Sequence, residues 1–146
     1  RAVELAGLVG PDALQLHGEW TPEEVAYVRA ETGTKVLLTV DADEHERAER
    51  LAEAADALVV DSTTEEGAGG TGRTHDWEAT GDLAARLTTP VVLAGGLTPD
   101  NVAEAVEVAD PFAVDVASGV EIEGGRKDHN AVARFVANAG REMELL

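Results

Sequence analysis

Five short apolar runs, separated by longer amphipathic stretches, limit what this chain can fold into. The runs are Ala13 to Leu16, Val36 to Val40, Ala57 to Val60, Val91 to Ala94 and Ala113 to Ala117. They are rich in valine and leucine and mostly uninterrupted by polar residues. That is the pattern of strands buried on both faces of a parallel sheet. The intervening stretches carry helix signals. Thr21-Pro22-Glu23-Glu24 offers an N-cap, a proline at the first helical position and a capping-box acid. Thr98-Pro99-Asp100-Asn101 repeats the cap-proline opening. Asp41 to Ala55 places Ala48, Leu51, Ala52 and Ala55 at helical spacing, and Asp76 to Leu87 and Asp128 to Ala139 each begin with an aspartate that can cap. Arg1 to Val9 reads as the tail of a further helix closed by Gly10-Pro11.

Strand alternating with helix implies right-handed parallel crossovers, in an open doubly wound sheet or in a barrel. No linker or composition break divides residues 1–146, so one α/β domain is expected. Five units do not close an eight-stranded barrel, and a chain that opens within a helix reads as part of a larger one. Three further N-terminal units would add roughly 60–90 residues.

The ends of the last three runs point to chemistry. Ala57 to Val60 ends in Asp61 and leads to Gly69-Gly70-Thr71-Gly72. The next run ends in Gly95-Gly96 and the last in Ser118-Gly119. In a parallel barrel these ends lie side by side on one face, where backbone N–H groups converge on an anion such as a sugar phosphate. A missing Cβ lets an oxyanion approach the main chain. Any one glycine pair can be a simple turn, but three adjacent strand ends are not explained that way. The Gly-Gly-Thr-Gly string is not a nucleotide-binding P-loop, because no Gly-Lys-Ser/Thr follows. His17, His45, His75 and His129 show no metal spacing, and no metal is expected.

Charge narrows the partners. There are 29 acidic against 11 basic residues, a net charge of -18. Such a surface repels nucleic acid and anionic membrane, so neither is an expected partner. Phosphate must then be held largely by main-chain donors. The absence of cysteine excludes disulfides and thiolate metal sites. No run reaches membrane-spanning length, and a cytoplasmic location is expected.

Taken together, Leu14-Gln15-Leu16-His17-Gly18, Val59-Val60-Asp61-Ser62, Gly69 to Gly72 with His75-Asp76-Trp77, Leu93 to Val102, and Val114 to Glu121 with Lys127-Asp128 closely resemble the phosphoribosylanthranilate isomerases of tryptophan biosynthesis. The resemblance covers essentially the whole chain, in order and at family spacing. It implies a parallel (β/α) barrel of the ribulose-phosphate-binding type, with about five of eight units here, and an Amadori rearrangement of an aminoaldose to an aminoketose without cofactor.

By this resemblance Asp61 is the general acid that protonates the ribose ring oxygen. Gln15, His17 and Asp115 contact or orient the substrate. Gly70, Gly72, Gly95, Gly96, Ser118 and Gly119 hold the phosphate. The family's base is a cysteine after its first strand, and an arginine of its second unit holds the anthranilate carboxylate. Neither is present here, so the 146-residue chain alone is expected to be inactive. His75 and Gly124-Gly125 depart from the family's usual aromatic residue and proline-glycine pair, which touches loop packing more than chemistry.

Two rivals are weighed. Indole-glycerol-phosphate synthase chemistry needs lysine acids at strand ends, but Lys35 precedes its strand and Lys127 lies in a late loop. A non-catalytic part-barrel that binds phosphate or assembles with a missing piece is the other. Glu121 reads as a surface carboxylate, His45 as a solvated helix residue, and Trp20 and Trp77 as helix packing.

An acidic surface with only two lysines fits a salt-adapted protein. Molar salt shortens the Debye length to about 3 Å and removes most self-repulsion. The melting temperature is therefore expected to climb steeply from low to molar KCl; a flat profile would point to an ordinary acidic protein.

Overall fold

The computed structural model describes residues 1–64 and 74–140. Its centre is a five-stranded parallel sheet of β1 (Ala13–Leu16), β2 (Lys35–Asp41), β3 (Ala57–Asp61), β6 (Val91–Ala94) and β7 (Ala113–Val114), in that spatial order. Two-residue strands β4 (Thr63–Thr64) and β5 (Thr74–His75) pair antiparallel, as do β8 (Glu121–Glu123) and β9 (Arg126–Lys127). Helices α1 (Ala2–Val9), α2 (Pro22–Thr32), α3 (His45–Ala52), α4 (Trp77–Arg86), α5 (Val102–Ala109) and α6 (His129–Asn138) complete the layers. The five main strands lie in chain order, as strands of a parallel barrel do, and among the described residues β1 and β7 are the sheet's two edges.

Period-two alternation sorts the strand residues into two sets. Leu16, Val36, Leu38, Val40, Leu58, Val60 and Val91 join Val25, Val28, Ala48, Leu51 and Leu83 of α2, α3 and α4 in one core. Leu93 joins a second cluster with Val102, Ala105 and Ala109 of α5 and Phe135 of α6. The intervening positions Gln15, Thr39, Val59, Asp61 and Ala94 line the opposite face. The register pairs Asp41 with Asp61, Asp61 with Ala94, and Leu93 with Val114.

The helix starts follow local chemistry. Thr21 and Glu24 form a reciprocal capping box, and Asp76 and Asp128 accept hydrogen bonds from the first-turn amides of α4 and α6. Gly10 and Gly33 close α1 and α2 in the left-handed conformation.

Three boundaries differ from the sequence reading. The helix expected over Asp41 to Ala55 is shorter, because Asp41 still pairs in β2 and Glu44 is the N-cap. Thr98 does not open α5; its N–H donates to Asn101 Oδ1 at 2.8 Å and Asn101 becomes the N-cap. The run Ala113 to Ala117 is strand only at Ala113–Val114. Asp115 N–H still reaches the Leu93 carbonyl at 2.8 Å, but the chain then turns into a 3₁₀ segment at Ser118–Val120.

Candidate active site

Parallel pairing carries the C-terminal ends of β3, β6 and β7 to one rim. There Gln15, His17, Thr39, Val59, Asp61, Ala94–Leu97 and Asp115–Gly119 surround a cavity of about 250 Å³. The structure thus brings together Asp61, Gln15, His17, Asp115, Gly95, Gly96, Ser118 and Gly119. Gly70 and Gly72 lie outside the described residues.

Each wall has a local cause. Asp61 ends β3, and its Oδ1 accepts the Thr63 N–H at 2.9 Å. Gly95 and Gly96 have φ of +90° and +63°, a backbone that side chains resist. Asn101 Nδ2 donates to the Gly96 carbonyl at 3.1 Å and holds the loop in that turn. At Gly119 a Cβ would collide with the Leu97 carbonyl oxygen, so the chain after β7 packs directly on the chain after β6. Lys127 Nζ donates to the Ala117 carbonyl at 2.9 Å and to Glu121 Oε1 at 2.7 Å. The Lys127 bond, then the Gly125 N–H, hold the Glu121 carboxyl below its ordinary range. Lys127 is therefore a brace for the β7 loop, and Glu121 its counter-charge.

Two side chains escaped the sequence reading. Thr39 lines the cavity in phase with Gln15, whose Nε2 donates to Thr39 Oγ1 at 3.1 Å. Its signal was a lone hydroxyl in the middle of an apolar run. Arg47 is largely covered and joins two loops: Nη2 donates to the Gly18 carbonyl at 2.6 Å, and Nη1 to Glu44 Oε2 at 2.8 Å. No local pattern announces that contact, because Gly18 and Arg47 are 29 residues apart. Trp20 packs against the first core and donates from Nε1 to the His17 carbonyl at 3.1 Å, so a packing residue also steadies the β1 loop. Trp77 packs against the second core. His45 meets Arg86 Nη2 at 2.7 Å. Among the described residues no group of three His, Cys, Asp or Glu side chains is placed to hold a metal. No helix among them is long and apolar enough to cross a membrane.

A family model described as N-(5'-phosphoribosyl)anthranilate (PRA) isomerase matches residues 2–138. The chain belongs to that family.

An N-(5'-phosphoribosyl)anthranilate isomerase of Halorubrum lacusprofundi is 74% identical over 99% of this chain and 68% of its own length. That of Haloferax volcanii is 56% identical over 94% of this chain and 62% of its own length. Both come from halophilic archaea, the setting that an acidic, lysine-poor surface suggests. The phosphoribosylanthranilate isomerase of Thermotoga maritima superimposes with a TM-score of 0.78 at 34% identity, over 94% of this chain and 65% of that one. A second isomerase structure holds reduced 1-(o-carboxyphenylamino)-1-deoxyribulose 5-phosphate; it has a TM-score of 0.75 at 32% identity, over 95% of this chain and 64% of that one. The chain thus spans about two thirds of the length of these isomerases.

The rim is also acidic. Burial first, then Glu44, Asp61 and Asp43, raise the Asp41 carboxyl above its ordinary value, against a smaller opposing pull from Arg47. Glu44 is raised by burial, but the Asp41 N–H and Arg47 outweigh this and hold it below its usual range. A carboxyl raised on folding begins to disfavour the folded state as pH rises through its unfolded value, does so in full above its folded value, and has no effect below the unfolded one. Asp41→Asn is therefore expected to raise the melting temperature at neutral pH, with the gain vanishing as pH falls through the folded and then the unfolded value. Melts of both forms across that range check it.

Proposed function

We propose that this chain forms the proton-donating and phosphate-holding part of an N-(5'-phosphoribosyl)anthranilate isomerase. The product is 1-(2-carboxyphenylamino)-1-deoxyribulose 5-phosphate. The reading is carried by one observation: the Asp61 carboxylate shares a small cavity with glycine-bearing ends of the two next strands. A related isomerase binds the reduced form of that product, whose phosphate needs such a cradle.

Asp61 as general acid donates a proton to the ribose ring oxygen as the C1–O bond breaks, and the anilino nitrogen forms a Schiff base at C1. A base then removes the C2′ proton. The electron pair moves into an enolamine, which becomes the aminoketose when C1 gains a proton and the C2 hydroxyl releases its own. Backbone N–H groups at Gly95, Gly96, Ser118 and Gly119 face the phosphate, with Gly70 and Gly72 assigned to the same role from sequence. Main-chain donors suit a molecule of net charge -18, since they add no titratable charge. Gln15 and His17 approach the sugar from the β1 side. Asp115 orients the reacting groups from the β7 side.

The synthase alternative is not favoured. Lys35 begins β2 at the opposite end of the sheet, 3.8 Å from Asp56, and Lys127 is engaged with Ala117 and Glu121. Neither ammonium stands where a strand-end acid would act. A part-barrel that only binds phosphate leaves the placement of Asp61 in the cradle without a purpose.

In a catalytically competent protein carrying this chain, Asp61→Asn should lower kcat by about 10²–10⁴-fold. Gly96→Val should chiefly raise KM. Steady-state kinetics decide both; near-normal kcat removes Asp61 from the mechanism, and unchanged KM leaves Gly96 as a turn residue only. The 146-residue chain alone is expected to give no measurable turnover, because the proposed chemistry needs a base as well as an acid. Detectable conversion of phosphoribosylanthranilate by the purified chain would overturn that.

A further inference from the structure

At the tip of β3, the Ser62 N–H and hydroxyl turn on Ala94-Gly95 and the Thr63 N–H turns on the Asp61 carboxylate. Ser62 is fully buried; its N–H and its Oγ both donate to the Ala94 carbonyl, at 3.0 and 2.9 Å, and Oγ lies 3.4 Å from the Gly95 carbonyl. These bonds lock the tip of β3 against the tip of β6. On that base the Thr63 N–H donates to Asp61 Oδ1 at 2.9 Å.

The space the carboxylate then occupies belongs to the missing side chain of Gly95. A Cβ built there would overlap Asp61 Oδ1 and would lie 3.0 Å from Asp61 Cγ and 2.7 Å from Thr63 Oγ1. Three readings of Gly95 are therefore separable. Its φ of +90° asks for glycine on backbone grounds alone. A phosphate contact asks for an open approach to its N–H. Neither requires the carboxylate of a neighbouring strand to rest where its Cβ would be.

We propose that Gly95 is a positioning residue for Asp61: it provides the seat on which the carboxyl group lies, with Ser62 and Thr63 fixing the seat and the group. The inference rests on the reading of Asp61 as the acid. Holding one oxygen against Gly95 and the Thr63 N–H fixes the plane of the carboxyl, so the acid proton is presented in one orientation. Any side chain at position 95 forces the carboxyl to rotate or withdraw. A displacement of about 1 Å in a reacting group is enough to cost about 10²-fold in rate.

The test is a kinetic cycle in a catalytically competent protein carrying this chain, with Gly95→Ala, Asp61→Asn and the double variant. Gly95→Ala is expected to lower kcat by about 10²-fold, with KM moving by less than about threefold. The double variant is expected to be no slower than Asp61→Asn alone, because the seat has no effect once the acid is gone. A raised KM with kcat preserved would leave Gly95 with its phosphate contact alone and overturn the proposal. So would losses that multiply in the double variant. If Asp61→Asn keeps its kcat, it is the acid assignment that fails, a separate result. If circular dichroism shows that Gly95→Ala does not fold, the same cycle runs with Ser62→Ala. Its kcat should fall severalfold at constant KM and add nothing to Asp61→Asn. An effect on KM alone, an unchanged kcat, or multiplied losses would then overturn the proposal.

Discussion

The β3–β6 pairing in a single parallel register is the constraint on which the rest of this structure hangs. It sets Asp61 opposite Ala94, and so puts the last side chain of one strand beside the first glycine after the next. A slip of one residue would turn Asp61 toward the helices and Val60 toward the cavity. The apolar alternation prevents that. Leu58 and Val60 are wholly buried among helix residues, and moving a carboxylate into their place would remove it from water without a partner. Packing on one face of the sheet thereby fixes chemistry on the other.

Charge shapes how the other face can work. Among the described residues the cavity lining holds no lysine or arginine, and both lysines are engaged, Lys35 with Asp56 and Lys127 with Ala117 and Glu121. The loops after β6 and β7 instead press backbone against backbone, as Gly119 does on the Leu97 carbonyl. Close approach of this kind exposes main-chain dipoles to a ligand without adding titratable groups. The same economy appears where Arg47 and Lys127 donate to the carbonyls of Gly18 and Ala117. Scarce cations here hold loops in place.

Much of this architecture is legible in the residues. Short Val/Leu runs, capping aspartates at Asp76 and Asp128, and the capping box at Thr21 report local preferences that tertiary contacts do not override. The strand ends marked in the sequence by an aspartate and glycines do come together around one cavity. Failures occur where long-range pairing competes with local pattern. Asp41 looks like the start of a helix but is claimed by its ladder partner Asp61. Thr98 looks like an N-cap, yet the Asn101 side chain satisfies its N–H and moves the helix start by three residues.

Sequence alone determined the repeating strand–helix order, the faces the strands bury and the acidic surface. Those properties are set by side-chain hydrophobicity, propensity and charge, which are local. Tertiary structure alone decided that the Asp61 carboxylate fills the missing side-chain space of Gly95, that Thr39 meets Gln15, and that Arg47 reaches Gly18. Each is a contact between residues at least 24 positions apart. Its existence depends on the register and twist of neighbouring strands, which no stretch of chain encodes by itself.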